Sequence, residues 1–200
     1  MALDFLAFPT EVSTLDYVTY QYFHQLLNKR TVVWTSEVDE TFIEKVYLPL
    51  RDFEHDEIQE PVTLILNSVG GNVAEGFFVA HYLSQYKKPL NIIVCGYAAS
   101  MAAIVLAAGG HNSNITRSCY PSTYVMLHDG QIELPMMEAK SAADCMAFQE
   151  KTDQDIRDFV IQNTNISPEL YDAHSRHQWF ISATEAKELN LIDKIIGVDD

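Results

Sequence analysis

Residues Ile92–Gly110 read IIVCGYAASMAAIVLAAGG, and the fold turns on them. The β-branched run Ile92-Ile93-Val94 suits a fully buried strand. Past Gly96 the composition changes to Ala, Met and Leu, and the run stops at Gly109-Gly110, the pattern of a helix with a glycine stop. One hydroxyl, Ser100, falls just past the strand-to-helix junction. A nucleophile there sits beside first-turn N–H groups that have no intrahelical acceptor. Two other readings of the stretch stay open. It is uncharged over roughly the length of a membrane helix, and Ser100 can simply be packed between strand and helix.

The whole chain favours a globular reading. Its 200 residues are 48% hydrophobic, enough for one domain with its own core. A net charge of −15, from 13 basic and 28 acidic residues, argues against nonspecific nucleic-acid binding, and no Lys/Arg cluster appears. Cys95, Cys119 and Cys145 are odd in number and far apart, without metal-ligand spacing. They read as core thiols in a reducing compartment. The apolar start MALDFLAFPTEV has an acid at Asp4 and no basic region, so it does not read as a signal peptide.

Around the central stretch the pattern alternates. Tyr20, Phe23, His24 and Leu27 have helical spacing, and Thr31–Thr35 reads as a short strand. Asp39 can cap a helix that buries Phe42, Ile43, Val46 and Leu50. The acidic segment Asp52–Glu60 reads as a solvated connection to the strand Val62–Leu66. That strand ends at Asn67-Ser68-Val69-Gly70-Gly71-Asn72, where paired glycines can expose backbone N–H groups to a ligand. A helix through Val73, Phe77, Ala80 and Leu83 follows, then the central stretch. Gly110–Ser118 reads as a polar loop, Thr123–Leu127 as a strand, and Met136 to about Asn163 as a long helix. Ser167-Pro168 opens a short helix, Ser182-x-x-Glu185 is a capping box, and Leu191–Ile196 is extended. The class is α/β with repeated βαβ units.

Gly70-Gly71, Ser100 and His128 each lie at the carboxyl end of an expected strand, and in an open α/β sheet those ends line one crevice. Serine needs a base, and acyl transfer needs donors for a developing oxyanion. Each part is present in the sequence.

With those residues in view, a resemblance is plain. Asn67–Gly71, Gly96–Met101 (Gly-x-Ala-Ala-Ser-Met) and Val125–His128 (Val-Met-Leu-His) together resemble the proteolytic subunits of the Clp protease (ClpP) family. The likeness runs from Tyr20-x-x-Phe23-x-x-Leu26-Leu27-x-x-Arg30 to Leu191-Ile192-Asp193, nearly the whole chain. It implies a crotonase-like fold in a single domain over residues 1–200, with 1–18 an axial segment and 132–163 the region of a protruding handle helix. It implies Ser100 as nucleophile, His128 as general base, and the N–H groups of Gly71 and Met101 as the oxyanion hole, with no metal. It also implies a cytoplasmic or equally reducing location and a homo-oligomer of two stacked seven-membered rings. An AAA+ Clp ATPase would use ATP to feed unfolded polypeptides to the ring, and this chain itself would hold no cofactor.

One position departs from the pattern. The family's triad acid stands two residues before the Phe of Phe-x-Ser-Ala, and here that residue is Gln178. Arg176 and His177 likewise replace an acid–arginine pair that couples assembly to activity. A glutamine can orient an imidazole but cannot offset imidazolium charge. In a serine protease, Asp to Asn at the equivalent place lowers kcat about 10⁴-fold. Asp172 is a possible substitute if the local backbone shifts. A self-compartmentalising serine endopeptidase is therefore the leading expectation. The alternatives are a weakly active or inactive ring subunit that modulates a paralogue, and an acyl-CoA enzyme of the crotonase class. A Ser-Lys dyad finds no partner in Lys140 or Lys151, which lie on the long helix.

Overall fold

Alternation of apolar and polar residues builds the sheet, and one interruption of it shapes the site. The computed structural model describes residues 24–130 and 138–199. The expected axial segment 1–18, Tyr20 and Phe23, and the start of the expected handle region and long helix, 132–137, lie outside the described residues. Strands β1 (Thr31–Trp34), β2 (Val62–Ser68), β3 (Leu90–Ala99), β4 (Ile115–Cys119) and β7 (Lys194–Ile195) pair in that order, all parallel. β5 (Tyr124–Leu127) pairs in parallel with β3, and β6 (Trp179–Ser182) runs antiparallel to β5.

Val62, Leu64, Leu66, Leu90, Ile92 and Val94 point into the core, while Thr63, Ile65 and Ile93 are half-buried. β3 is thus closed on one face only, where its β-branched run suggested two.

Helices cover the sheet. α1 (Glu40–Phe42) is capped by Asp39, whose Oδ1 accepts the Thr41 N–H at 2.9 Å. A π-helical turn, Ile43–Tyr47, joins it to α2 (Leu48–His55). Pro49 has no N–H for the carbonyl four residues back, which accounts for the widened turn. α3 (Val73–Ser84) follows β2, and α4 (Met101–Ala107) follows β3 with all seven residues buried. α5 (Ala139–Asn163), α6 (Pro168–His174, capped by Ser167) and α7 (Ala183–Glu188, with the Ser182/Glu185 capping box) complete the chain.

The uncharged stretch is therefore a strand and a short interior helix. Among the described residues no helix is long and apolar enough to cross a membrane.

Two connections differ from the sequence reading. The segment after α2 is not simply solvated, because Asp56 pairs with both Arg30 and Lys88. The expected polar loop Gly110–Ser118 contains most of β4. Ile115, Arg117 and Cys119 all point inward there, and Arg117 is wholly buried. Its guanidinium donates to Asp193 (Nε–Oδ2 3.1 Å, Nη2–Oδ1 2.7 Å) and to Asn190 (Nη1–O 2.8 Å, Nη2–Oδ1 2.7 Å). Asp193 Oδ2 also accepts the Arg117 N–H at 2.6 Å, so one carboxylate stitches β7 to β4. Arg117 is wholly buried while the Asp193 side chain is 36% exposed, so removing Asp193 leaves a buried guanidinium without its counter-charge. Asp193→Ala is expected to cost about 3–5 kcal/mol, read as a lower urea midpoint at constant slope.

The interruption lies in β3. Pairing with β2 passes from Leu66↔Val94 to Ser68↔Ala98, so Cys95, Gly96 and Tyr97 face only Asn67. Gly96 takes φ 95°, and Asn67 Oδ1 accepts the Tyr97 N–H at 3.3 Å. An added Cβ on Gly96 would meet that oxygen at 2.9 Å. Beyond this bulge β3 exchanges β4 for β5 on its outer edge. Gly96 therefore bends the strand rather than ending it, and the bend directs Ser100.

Candidate active site

Ser100 is the single residue between β3 and α4, at φ 53° and ψ −124°. A side chain in this sparsely populated region needs surrounding structure to hold it there. Its N–H donates to Met126 O at 2.8 Å, and its carbonyl accepts from Ala103 N–H at 2.9 Å. A sharp strand-to-helix turn of this kind presents the hydroxyl rather than burying it.

His128 follows β5, half-buried, with Nε2 2.8 Å from Ser100 Oγ. Its neighbours are anchored: Asp129 N–H donates to Ser175 O at 2.7 Å, and Gly130 N–H donates to Asp153 Oδ1 at 2.9 Å. The pairing of β3 with β5 thus brings together two side chains 28 residues apart.

The glycine turn closes the other side. Gly70 (φ 91°) and Gly71 (φ 147°) follow β2, and Ser68 Oγ accepts the Gly70 N–H at 3.1 Å. Val38 bridges the turn, with Val38 N–H donating to Gly70 O and Asn72 N–H donating to Val38 O, both at 2.7 Å. Such a bridge uses the groups on either side of Gly71, so the Gly71 N–H points away from Val38. The Met101 N–H belongs to the first turn of α4, where no intrahelical acceptor exists.

A cleft of about 650 Å³ is lined by Ser100, His128, Gly71, Met101 and Gln178, all five residues singled out from the sequence. A base on a hydroxyl, with two backbone donors beside it, is an arrangement suited to acyl transfer.

Gly70 has no room for a side chain. A Cβ there would lie 2.5 Å from Ala99 O, 2.7 Å from Ser100 Cβ and 2.8 Å from Met101 N. Gly70→Ala is expected to cost about 2–4 kcal/mol. It would also displace Ser100, so that hydrolytic turnover and the thermal midpoint fall together.

The acid position is different. Gln178 is exposed on the segment before β6, and among the described residues no carboxylate hydrogen-bonds the His128 ring. Asp172 is committed elsewhere. It takes Arg157 side-on (Nε–Oδ1 2.6 Å, Nη2–Oδ2 2.8 Å), and Arg157 holds its carboxyl below the usual range. It lines a separate concavity of about 330 Å³ with Arg176 and Ser175. Arg176 and His177 flank His128 on its outer side. Lys140 and Lys151 are exposed on α5.

Among the described residues no group of three or more His, Cys, Asp or Glu is placed to hold a metal ion. Burial pushes the Cys119 thiol up to about 11 and raises Cys95 as well, so neither is primed as a thiolate.

Gln149 and Asp153 were not singled out from the sequence. They share one face of α5 with Ile156, four and three residues apart, a periodicity the apolar positions alone did not reveal.

A family model described as Clp protease matches residues 15–199. The chain belongs to the Clp protease family. One relative, ATP-dependent Clp protease proteolytic subunit 1 of Shouchella clausii (strain KSM-K16), is 28% identical over 181 residues. That match covers 90% of this chain and 91% of the relative. The parallel sheet with flanking helices is consistent with the crotonase-like Clp protease fold.

Proposed function

We propose that this Clp protease family chain is a serine-type endopeptidase subunit that hydrolyses unfolded polypeptides and peptides. Ser100 Oγ attacks the scissile carbonyl carbon while its proton passes to His128 Nε2, which requires the neutral ring to carry its proton on Nδ1. The tetrahedral oxyanion is held by the N–H groups of Gly71 and Met101. On collapse the C–N bond breaks, His128 gives its proton to the leaving amine, and an ester to Ser100 remains. Water, deprotonated by His128, then releases the acid and restores the serine. The observation that carries this reading is the 2.8 Å contact between His128 Nε2 and Ser100 Oγ.

The reading extends to the assembly. The chain is a single catalytic domain with an axial segment at 1–18 and a handle over 132–163. It forms two stacked seven-membered rings, and an AAA+ Clp ATPase that uses ATP delivers the substrate. Met146 and Phe148 on α5 are 54% and 71% exposed, and such an apolar surface supports contact with a neighbouring copy. The chain itself needs no cofactor. Three free cysteines are in keeping with a reducing compartment such as the cytoplasm.

Gln178 favours a second reading, a weakly active or inactive ring subunit that modulates a paralogue. One experiment separates the two: treatment with a fluorophosphonate and location of the adduct by mass spectrometry. Labelling of Ser100 that is lost in His128→Ala supports the peptidase. An assembled ring that takes no label supports the modulating subunit.

A further inference from the structure

One wall of the cleft has no part in the proposed chemistry. Ile156 of α5 is buried and, with Ile104 and Met126, gives the space beside Ser100 an apolar lining. Gln149, two turns earlier on the same helix face, lines the same cleft and is half-buried. Its carboxamide is held. Nε2 donates to Asp153 Oδ1 at 2.7 Å, and the same oxygen accepts the Gly130 N–H at 2.9 Å. An ionised carboxylate only accepts, so the amide atom facing Asp153 must be the nitrogen. Gly130 packs directly on this pair, and a Cβ there would lie 2.2 Å from Gln149 Nε2. Among the described residues no hydrogen bond uses Oε1, which is left as an acceptor in a cleft that also presents Ile104, Met126 and Ile156, with the Asp153 carboxylate against the same amide.

We infer that Gln149 selects the substrate residue whose carbonyl Ser100 attacks (P1), favouring an apolar shaft that ends in a hydrogen-bond donor. Glutamine fits this description, and its isostere glutamate does not. The shaft lies against Ile104, Met126 and Ile156, and the terminal N–H meets Gln149 Oε1. A glutamate tip would set oxygen against oxygen, with the negative charge of Asp153 behind, and neither acceptor would find a proton. The inference rests on the endopeptidase reading and names the substrate class of that site. A site built around a polar partner rejects an analogue lacking it more strongly than an apolar pocket rejects a missing methylene, although solvent near a half-buried amide reduces the ratio. The expected preference for Gln over Glu is about 10- to 100-fold.

The test uses the full chain and three peptide diphenyl phosphonates that differ only at P1 (Gln, Glu or Leu), with a broad fluorophosphonate alongside. Rates of adduct formation on Ser100 are followed by mass spectrometry. The expected result is the Gln-over-Glu ratio above, reduced to within about 3-fold in Gln149→Leu, which instead gains about 10-fold for Leu over Gln. The main ratio is read within the unaltered protein, so it does not depend on how a variant folds. Equal Gln and Glu rates would overturn the inference and leave the peptidase reading standing. Silence of all three peptide probes while the broad probe labels Ser100 would do the same. No adduct with any probe would overturn the peptidase reading and this inference with it.

Discussion

Gln178→Asp is expected to raise kcat by about 10²- to 10³-fold with KM nearly unchanged. Gln178 lines the cleft with His128, at the position to which the family resemblance assigns an acid. Its amide oxygen can accept from the Nδ1 side and so favour the tautomer that leaves Nε2 free as a base. It carries no charge, however, to offset the imidazolium that forms as Ser100 attacks. A carboxylate adds that term where charge develops in the transition state and not in the bound substrate, which is why kcat should move and KM should not. The gain falls short of the roughly 10⁴-fold lost on Asp to Asn replacement in a serine protease, because much of that loss comes from the wrong tautomer. Turnover of a fluorogenic peptide by both proteins is the measurement. An unchanged kcat would mean that another group already balances the imidazolium.

The larger effect is expected from the dyad itself. Ser100→Ala and His128→Ala should each lower kcat by about 10³- to 10⁴-fold, the part of a full triad's loss that remains when the acid is already absent, and the double variant should be no worse than either. Residues that act as one unit are not additive: with no nucleophile the base has nothing to activate, and with no base the hydroxyl remains a poor nucleophile. What survives, about 10³-fold over water, comes from backbone donors and binding. Losses that multiply in the double variant would show two independent contributions and would count against the Ser100–His128 pairing. Unchanged urea midpoints would show that neither loss reflects unfolding.

Much of this architecture could be read from residue types. The change from Ile92-Ile93-Val94 to Ala- and Leu-rich sequence marked the strand and helix that flank Ser100, and the apolar run before His128 marked β5. Gly70-Gly71, Ser100 and His128 followed because each ends an expected strand, whereas Met101 and Gln178 came from the family resemblance. What stayed hidden depended on tertiary partners. β4 looked like a loop because its central inward residue is Arg117, an arginine that only Asp193 and Asn190, more than 70 residues away, make tolerable in the core. β3 runs on through Ala98 and Ala99, poor strand formers, because β2 and β5 pair with them there. Asp172 looked available as an acid because nothing in the sequence ties it to Arg157, 15 residues earlier. Gln149 passed unnoticed because a polar residue on an amphipathic helix usually faces water.

The bulge opposite Asn67 distributes the proposed catalytic parts between two strand pairings. Ser100, His128 and Gln178 all ride on the small ribbon made by the end of β3 with β5 and β6, whereas Gly71 hangs from β2 in the main sheet. A tilt of the ribbon is common-mode for the first three and differential only with respect to Gly71. The β5 pairing sets Ser100 against His128, while the Ser68↔Ala98 pairing and the close approach of Gly70 to Ala99 and Ser100 tie the ribbon back to β2. On the proposed mechanism, a shift of β2 against the ribbon would change the alignment of the Gly71 donor, whereas the Met101 donor would move with Ser100.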